Sequence, residues 1–110
     1  MAAKFEIEKA KNDQHYFKLI AGNGKVILTS EQYKAKARAQ TGIDAVKTNA
    51  PLDGRYERKK SSGGKAYFVL KAANGQVVGQ SQMYSSAAAM EKGIDSVKTN
   101  APRAAVQDLS

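Results

Sequence analysis

Gly-Ile-Asp-Ala-Val-Lys-Thr-Asn-Ala-Pro occupies residues 42–51, and Gly-Ile-Asp-Ser-Val-Lys-Thr-Asn-Ala-Pro occupies residues 93–102. The two stretches differ at one position and lie 51 residues apart. The same offset superposes Tyr16-Phe17 on Tyr67-Phe68, Asn23-Gly24 on Asn74-Gly75, and Tyr33 on Tyr84. Such self-similarity indicates a tandem repeat. We place the first copy at residues 4–53 and the second at residues 54–110.

The length of the chain constrains how the two copies fold. A copy of about 50 residues buries too little surface to offset its chain entropy alone. The full 110 residues suffice for one domain, and 42% of them are hydrophobic, enough for a shared core. We therefore predict a single domain over residues 1–110, built from two repeats around one core.

The repeated stretch lies in a predicted helix. Apolar residues spaced by four, three and four positions mark one helix face, and they recur in both copies: Ala39, Ile43, Val46, Ala50, and Met90, Ile94, Val97, Ala101. The stripe runs through Gly42 and Gly93, so we predict that both helices continue past these glycines, which pack closely against a neighbouring element. Pro51 and Pro102 end the helices, and Ser85 or Ser86 is the expected N-cap of the second.

Three short strands precede each helix. Residues 5–11 alternate apolar and charged side chains, as a half-buried strand does. Residues 16–21 and 25–29 flank Asn23-Gly24, which is typical of a β-hairpin. The second copy repeats the pattern from Tyr56. We predict an α+β fold in which both three-stranded meanders form one antiparallel sheet, with two helices on one face and a pseudo-two-fold axis. Residues 104–109 are expected either to add an edge strand or to fray.

The repeated motifs carry a family resemblance over nearly the whole chain. Tyr-Phe-x-Leu-x-Ala, Asn-Gly, Ser-x-x-Tyr and Gly-Ile-Asp-x-Val-Lys-Thr-Asn-Ala-Pro, each present twice, resemble the YegP-like family of small bacterial proteins. The resemblance implies tandem β-β-β-α-β repeats that exchange their last strands, so that residues 105–109 are an exchanged strand. The family's function is uncharacterised, so the resemblance carries over no catalytic residue.

Charge is the unusual bulk property, with 18 lysines and arginines against 10 aspartates and glutamates, a formal net charge of +8. A basic protein favours polyanions such as nucleic acid, although charge also serves solubility. The chain has no cysteine, so it forms neither disulfides nor thiolate metal sites. No apolar run is long enough to span a membrane, and an apolar signal-peptide core is missing at the start. We expect a cytoplasmic protein that binds no membrane.

Residues able to do chemistry are few. His15 is the only histidine and is expected to be solvated at a strand end. Asp44 and Asp95 occupy matching positions, where they either meet as a carboxylate pair or, as we favour, pair with Lys47 and Lys98 in solvent. Gly63-Gly64-Lys65 lacks the glycine and hydroxyl residue of a phosphate loop. We predict no catalytic residue, metal or cofactor, and no enzymatic activity.

The repeated Lys-Thr-Asn at 47–49 and 98–100 has a structural explanation, since lysine complements the helix dipole and asparagine ends helices.

The face of the sheet opposite the helices is the better candidate for binding. Tyr16, Lys18, Tyr67 and Lys71 are expected there, an arrangement similar to platforms that stack single-stranded RNA bases. Ordinary cross-strand pairing explains the same pattern. Beside it, the densest basic run comprises Arg55, Arg58, Lys59 and Lys60, which either binds a partner or protects a sheet edge from aggregation.

Two functional hypotheses remain. The first is a non-enzymatic binding or structural module whose binding partner is unknown. It is expected to be a monomer, because duplication already places two copies of the repeat in one chain. The alternative is weak, sequence-tolerant binding of single-stranded nucleic acid at the open face.

Overall fold

The computed structural model describes residues 3–109. Its helices and strands form two repeats, of which the second has one strand more than the first. The first repeat contains strands β1 (Lys4–Lys9), β2 (His15–Ile20) and β3 (Val26–Thr29) and helix α1 (Lys36–Asn49). The second contains β4 (Tyr56–Lys60), β5 (Ala66–Lys71), β6 (Val77–Gln80), helix α2 (Ala87–Asn100) and β7 (Ala105–Asp108). A 3-10 turn follows each helix, at Asp53–Arg55 and Ala101–Arg103.

All seven strands form one sheet in the order β4-β5-β6-β3-β2-β1-β7. The repeats meet at its centre, where β3 pairs antiparallel with β6 through Thr29 and Gln80. Every other pair is antiparallel except β1 and β7, which run parallel. The predicted α+β fold with one sheet of two repeats is confirmed, and the parallel pair makes that sheet mixed.

Each helix packs on strands of both repeats. Helix α1 contacts β2 of its own repeat and β6 of the other, and α2 contacts β5 and β3 correspondingly. The largest fully buried side chains lie between these layers: Phe5, Ile7, Phe17, Leu19, Leu28, Ile43, Val46, Phe68, Leu70, Ile94 and Val97. Because residues from both repeats fill this layer, neither copy has a core of its own.

The helix ends match the sequence prediction. Both helices run through their glycines to Asn49 and Asn100. Ser86 caps α2, since its side-chain oxygen accepts a hydrogen bond of 3.1 Å from the backbone N–H of Ala89. Alanine replaces this cap at position 35 of the first repeat, which has no side-chain cap.

A tyrosine explains why the helices retain a central glycine. A Cβ atom on Gly93 would lie 2.2 Å from the Tyr84 hydroxyl, and one on Gly42 would lie 2.8 Å from the Tyr33 hydroxyl. Each tyrosine ring also stacks on a core phenylalanine, Phe68 or Phe17, at 6.4 Å. The glycine therefore leaves the space in which the tyrosine ring packs between the helix and the phenylalanine of the sheet.

The last described residues form an exchanged strand. Strand β7 belongs to the second repeat and pairs with β1 of the first, in register from Lys4 with Ala105 to Ile7 with Asp108. The Leu109 N–H donates a 2.8 Å hydrogen bond to the Ile7 carbonyl. Side chains add an ion pair of 2.8 Å between Lys36 and Asp108. The segment is an edge strand, as the family resemblance implies.

The opposite edge of the sheet, at β4, has no such strand. Applying the offset of 51 residues, β7 corresponds to residues 54–57, which lead into β4 itself. One stretch of chain cannot be both the closing strand of the first repeat and the opening strand of the second. The sheet consequently has seven strands instead of eight, and the outer edge of β4 is unpaired among residues 3–109.

Replacing Gly93 by alanine tests the tyrosine contact. We expect Gly93→Ala to lower the free energy of unfolding by about 1–2 kcal/mol, because displacing the Tyr84 ring outweighs the better helix propensity of alanine. Denaturant unfolding measures the change. Gly54→Ala is the control, since no heavy atom lies within 4 Å of its added Cβ. In the double variant with Tyr84→Leu the two costs should be less than additive; additivity would refute the contact.

The unequal edges predict unequal hydrogen exchange at two equivalent amides. The Phe17 and Phe68 carbonyls accept hydrogen bonds from the Ser30 and Ser81 N–H groups, and their own N–H groups donate to the hydroxyls of the same serines. These bonds point away from β1 and β4, so Ile7 and Arg58 opposite them direct their N–H groups outward. The Ile7 N–H faces β7, whereas the Arg58 N–H faces solvent. We expect Arg58 to exchange at least roughly 100-fold faster than Ile7, measured by NMR; equal rates would contradict this edge asymmetry.

Candidate interaction surfaces

The open face of the sheet, meaning the face away from the helices, carries the four predicted platform residues. Tyr16, Lys18, Tyr67 and Lys71 all lie there and are half-buried. The Lys18 Nζ atom lies 5.8 Å from the centroid of the Tyr16 ring, a cation–π distance. The sequence therefore located these side chains on one face, on strands β2 and β5.

Glutamates on the neighbouring strands neutralise the lysines of this face. The sequence pattern did not predict these ion pairs. Lys18 pairs with Glu8 at 2.7 Å, and Lys71 pairs with Glu57 at 2.5 Å. The hydrogen bond that Lys18 donates to Glu8 raises the pKa of Lys18, and the hydrogen bond that Lys71 donates to Glu57 lowers the pKa of Glu57. Each interaction ties neighbouring strands together and occupies a cation that a phosphate would need.

The open face is therefore close to neutral. Four lysines and three glutamates take part in its ion pairs, a formal excess of one positive charge: Lys4, Lys18, Lys59 and Lys71 with Glu6, Glu8 and Glu57. The net charge of +8 must lie mainly elsewhere on the molecule. The arrangement is a lattice of cross-strand ion pairs around the tyrosines.

The basic run at β4 divides between the two faces, as alternation requires. Arg58 points to the helix side, where its guanidinium binds both carboxylate oxygens of Glu91, at 2.6 and 3.1 Å, and reaches Asp53 at 3.2 Å. Lys59 points to the open face and pairs with Glu57 at 3.2 Å. Lys60 is exposed and has no ion-pair partner within residues 3–109.

Arg55 completes this run at the start of β4, where its Nε donates a 2.9 Å hydrogen bond to the side-chain oxygen of Asn49. Because Asn49 is neutral, the charge of Arg55 is not compensated by this contact. The run thus combines a structural arginine, Arg58, with cations that retain their charge, Arg55 and Lys60.

The uncovered edge explains why the repeats differ at Arg58. Its counterpart Ile7 is fully buried on β1, the strand that β7 flanks. At β4 no strand of the described chain flanks the corresponding position, and an isoleucine there would face water at the edge. Arginine instead extends along the helix side to Glu91, which replaces Gln40 of the first repeat. The two substitutions act together, since each supplies the charge the other needs.

The ion pairs expected between Asp44 and Lys47 and between Asp95 and Lys98 do not form among the described residues. Both aspartates are exposed on their helices. Lys98 instead binds Asp53 at 2.7 Å and lies 5.7 Å from the Tyr56 ring. Lys47 lies 5.8 Å from the Phe5 ring. Aromatic rings under the helix ends attract these lysines, a non-local contact that spacing on the helix could not indicate.

Asparagines in the repeated Lys-Thr-Asn serve the helix ends. The side-chain amides of Asn49 and Asn100 each donate a 2.8 Å hydrogen bond to the carbonyl four residues earlier, Ala45 and Ser96. The structural reading of this motif therefore accounts for its identity in both copies.

His15 is not the solvated residue that the sequence suggested. It is half-buried, and its Nδ1 atom is buried without a hydrogen-bond partner among the described residues. Its backbone pairs with Tyr33, which holds the start of β2 against the segment before α1. Across residues 3–109 no group of three or more potential ligands could hold a metal ion, and no helix is long and apolar enough to cross a membrane.

Comparison with known proteins agrees with this architecture. A domain of unknown function, DUF1508, matches twice in tandem, at residues 10–57 and 61–108. A UPF0339 protein of Pseudomonas aeruginosa is 54% identical over 110 residues, all of both chains. The UPF0339 protein YegP of Escherichia coli (strain K12) is 51% identical over 98% of each chain.

Two solution NMR structures are similar throughout. A protein of unknown function, yegP from E. coli, aligns with a TM-score of 0.94 at 50% identity, covering 99% of this chain and 94% of the other. A UPF0339 protein from Shewanella oneidensis aligns with a TM-score of 0.93, also at 50% identity, covering 99% and 92%.

The fold and the comparisons define a bacterial class of duplicated α+β proteins, in which two repeats share one sheet. The chain belongs to the UPF0339 family, the YegP-like proteins with tandem DUF1508 repeats.

The Arg58–Glu91 ion pair predicts a pH-dependent loss of stability. The hydrogen bond from Arg58 holds the pKa of Glu91 below its ordinary value of 4.5. A carboxylate whose pKa is depressed by folding stabilises the folded state at pH values above its pKa in the unfolded chain. That stabilisation is lost as the pH falls through its pKa in the folded protein. Because the pair is partly exposed, Glu91→Gln should cost only about 0.5–1 kcal/mol at pH 7.

Urea unfolding at several pH values measures this difference, which should shrink below about pH 4.5 as the wild-type carboxylate is protonated. Asp95→Asn is the matched control, because Asp95 is an exposed acid on the same helix without an ion pair in the described chain. A Glu91→Gln effect that did not vary with pH would contradict the assignment.

Proposed function

We propose that the protein is a non-enzymatic module that binds another protein at the outer edge of β4. The observation that carries the proposal is that unpaired edge, in a molecule whose equivalent edge at β1 accepts a strand. Exposed strand edges present regular N–H and C=O groups that bind extended segments. Arg55 and Lys60 add charge beside them.

The pairing of acidic side chains beside the proposed binding edge supports binding as the activity. Three acids near β4 are engaged by cations: Asp53 by Lys98 and Arg58, Glu91 by Arg58, and Glu57 by Lys71 and Lys59. A general acid or base needs a free carboxyl or imidazole beside a substrate cavity. We therefore propose binding without catalysis.

We further propose that the protein acts as a cytoplasmic monomer. The second repeat contributes β7 to the first, as a dimer partner would, so duplication supplies this exchange within one chain. The lack of cysteine suits a reducing compartment.

Site-specific photo-crosslinking in cells tests edge binding. A photoreactive amino acid in place of Lys59 should yield discrete protein adducts, and one in place of Lys11, on the turn after β1, should not. The Lys60 N–H points outward, because Ala66 opposite it exchanges both backbone bonds with Tyr84. Lys60→Pro therefore blocks the edge without breaking the sheet and should abolish the adducts.

Lys60→Ala is the control that removes the charge alone. Adducts that persist in Lys60→Ala and disappear in Lys60→Pro support strand addition. Adducts that survive Lys60→Pro would overturn the proposed role of the edge.

A second candidate function is weak binding of single-stranded nucleic acid at the open face. It is favoured by the cation–π arrangement of Lys18 over Tyr16 and by the net charge of +8. The ion pairs with Glu8 and Glu57 weigh against it, because phosphates would compete with carboxylates for the same lysines.

An amide NMR titration with short single-stranded RNA and DNA distinguishes this candidate. Nucleic-acid binding predicts shifts centred on Tyr16, Lys18, Tyr67 and Lys71 at low salt that shrink at physiological salt. Glu8→Gln and Glu57→Gln should strengthen such binding by freeing the lysines. No shifts at low salt would exclude this candidate.

A further inference from the structure

We infer that the outer edge of β4 takes an extended acidic segment of a partner protein, added parallel to β4. The inference rests on the proposed function and specifies its partner's chemistry and direction. It starts from the internal copy of the same arrangement, since β7 shows how a strand adds to the first strand of a repeat.

The geometry at β1 defines the expected register. Strand β7 runs parallel to β1, with Val106 opposite Phe5 and Asp108 opposite Ile7. The offset of 51 residues transfers these positions to Tyr56 and Arg58 on β4. An acidic residue in the position of Asp108 would therefore lie opposite Arg58, where the first repeat has an isoleucine.

The backbone of β4 is prepared for this pairing. The Tyr56 N–H already bonds to the Asp53 carbonyl, so strand addition begins beyond it. Arg58 and Lys60 direct their N–H and C=O groups outward, because the opposed residues Phe68 and Ala66 bond away from β4. Their side chains are exposed, and no described element lies beside this edge.

The charge around the edge selects an acidic occupant. Seven basic side chains surround it against four acidic ones, a formal excess of three positive charges: Arg55, Arg58, Lys59, Lys60, Lys65, Lys71 and Lys98 with Asp53, Glu57, Glu91 and Asp95. Three of these acids, Asp53, Glu57 and Glu91, already bind cations. Arg55, Lys60 and Lys65 take no part in those ion pairs and retain their charge. Acidic side chains on an added strand would compensate them.

The same charge argues against a second copy of this chain as the occupant. Two β4 edges meeting around a two-fold axis would bring together two surfaces that each carry this excess of positive charge. Like charges on facing edges are the usual means by which proteins prevent such pairing. The charge of this edge thus disfavours pairing with a second copy and favours pairing with a chain of opposite charge.

Capped peptides derived from β7 test the inference with the intact protein. The first probe copies residues 104–109, the second carries Gln107→Glu and Leu109→Glu, and the third carries Lys at both positions. We expect the acidic peptide to shift the amides of Tyr56–Lys60, to slow exchange of the Arg58 N–H, and to bind about threefold to tenfold more tightly than the first. The lysine peptide should not bind, and Lys60→Pro should abolish binding while Lys60→Ala weakens it.

A spin label at either end of the acidic peptide reports direction. Parallel addition requires a label at the peptide N-terminus to broaden the amides of Arg55 and Tyr56, and one at the C-terminus to broaden those of Lys60 and Ser61. The reversed pattern would overturn the parallel assignment, and equal affinity of the acidic and lysine peptides would overturn the acidic one.

The failures of the two proposals are distinguishable. If no peptide binds but the cellular adducts remain sensitive to Lys60→Pro, edge binding stands and the acidic, parallel occupant is wrong. If sedimentation shows a dimer that Lys60→Pro dissociates, the occupant is a second copy and the inference is wrong. If neither peptides nor adducts respond to Lys60→Pro, both proposals fall.

Discussion

The structure depends on one constraint of chain connectivity: the residues that follow a helix can form only one strand. In the second repeat those residues cross to the first and become β7. In the first repeat they must begin β4, because the second repeat follows without a linker. A duplication that is nearly exact in sequence therefore cannot be exact in structure. Among residues 3–109 the missing eighth strand leaves one edge of the sheet unpaired, and charged residues replace the counterparts Ile7 and Gln40 beside it.

Those differences form a coherent set of substitutions around the uncovered edge. Ile7 and Gln40 of the first repeat, a buried isoleucine and an exposed glutamine, correspond to Arg58 and Glu91 of the second, which form a bidentate ion pair. Tyrosine and glycine, in contrast, keep their places in both copies because the core needs them identically. The tyrosine–glycine contact thus remains symmetric under duplication, whereas the positions of Ile7 and Gln40, beside the missing strand in the second repeat, do not.

Local patterns predicted most of the fold. Hydrophobic spacing identified both helices through Gly42 and Gly93, and Asn-Gly turns with alternation gave the strands. The destination of residues 105–109 required the family resemblance, since five exposed residues carry no signal of their pairing. Among the candidate site residues, alternation correctly divided Arg58 from Lys59. Their partners could not be predicted, because Glu91 is 33 residues from Arg58 and only the packing of α2 brings it near.

The parallel pairing of β1 and β7 has a mechanical consequence. Ala3, before β1, and Leu109, after β7, lie at opposite ends of two adjacent parallel strands. Tension applied between these two residues would load the β1–β7 ladder in shear, so that its hydrogen bonds bear the force together and do not open one at a time. The exchanged strand that completes one edge of the sheet thus also holds the two ends of the described chain together. The force that it withstands depends on the direction in which the chain is pulled.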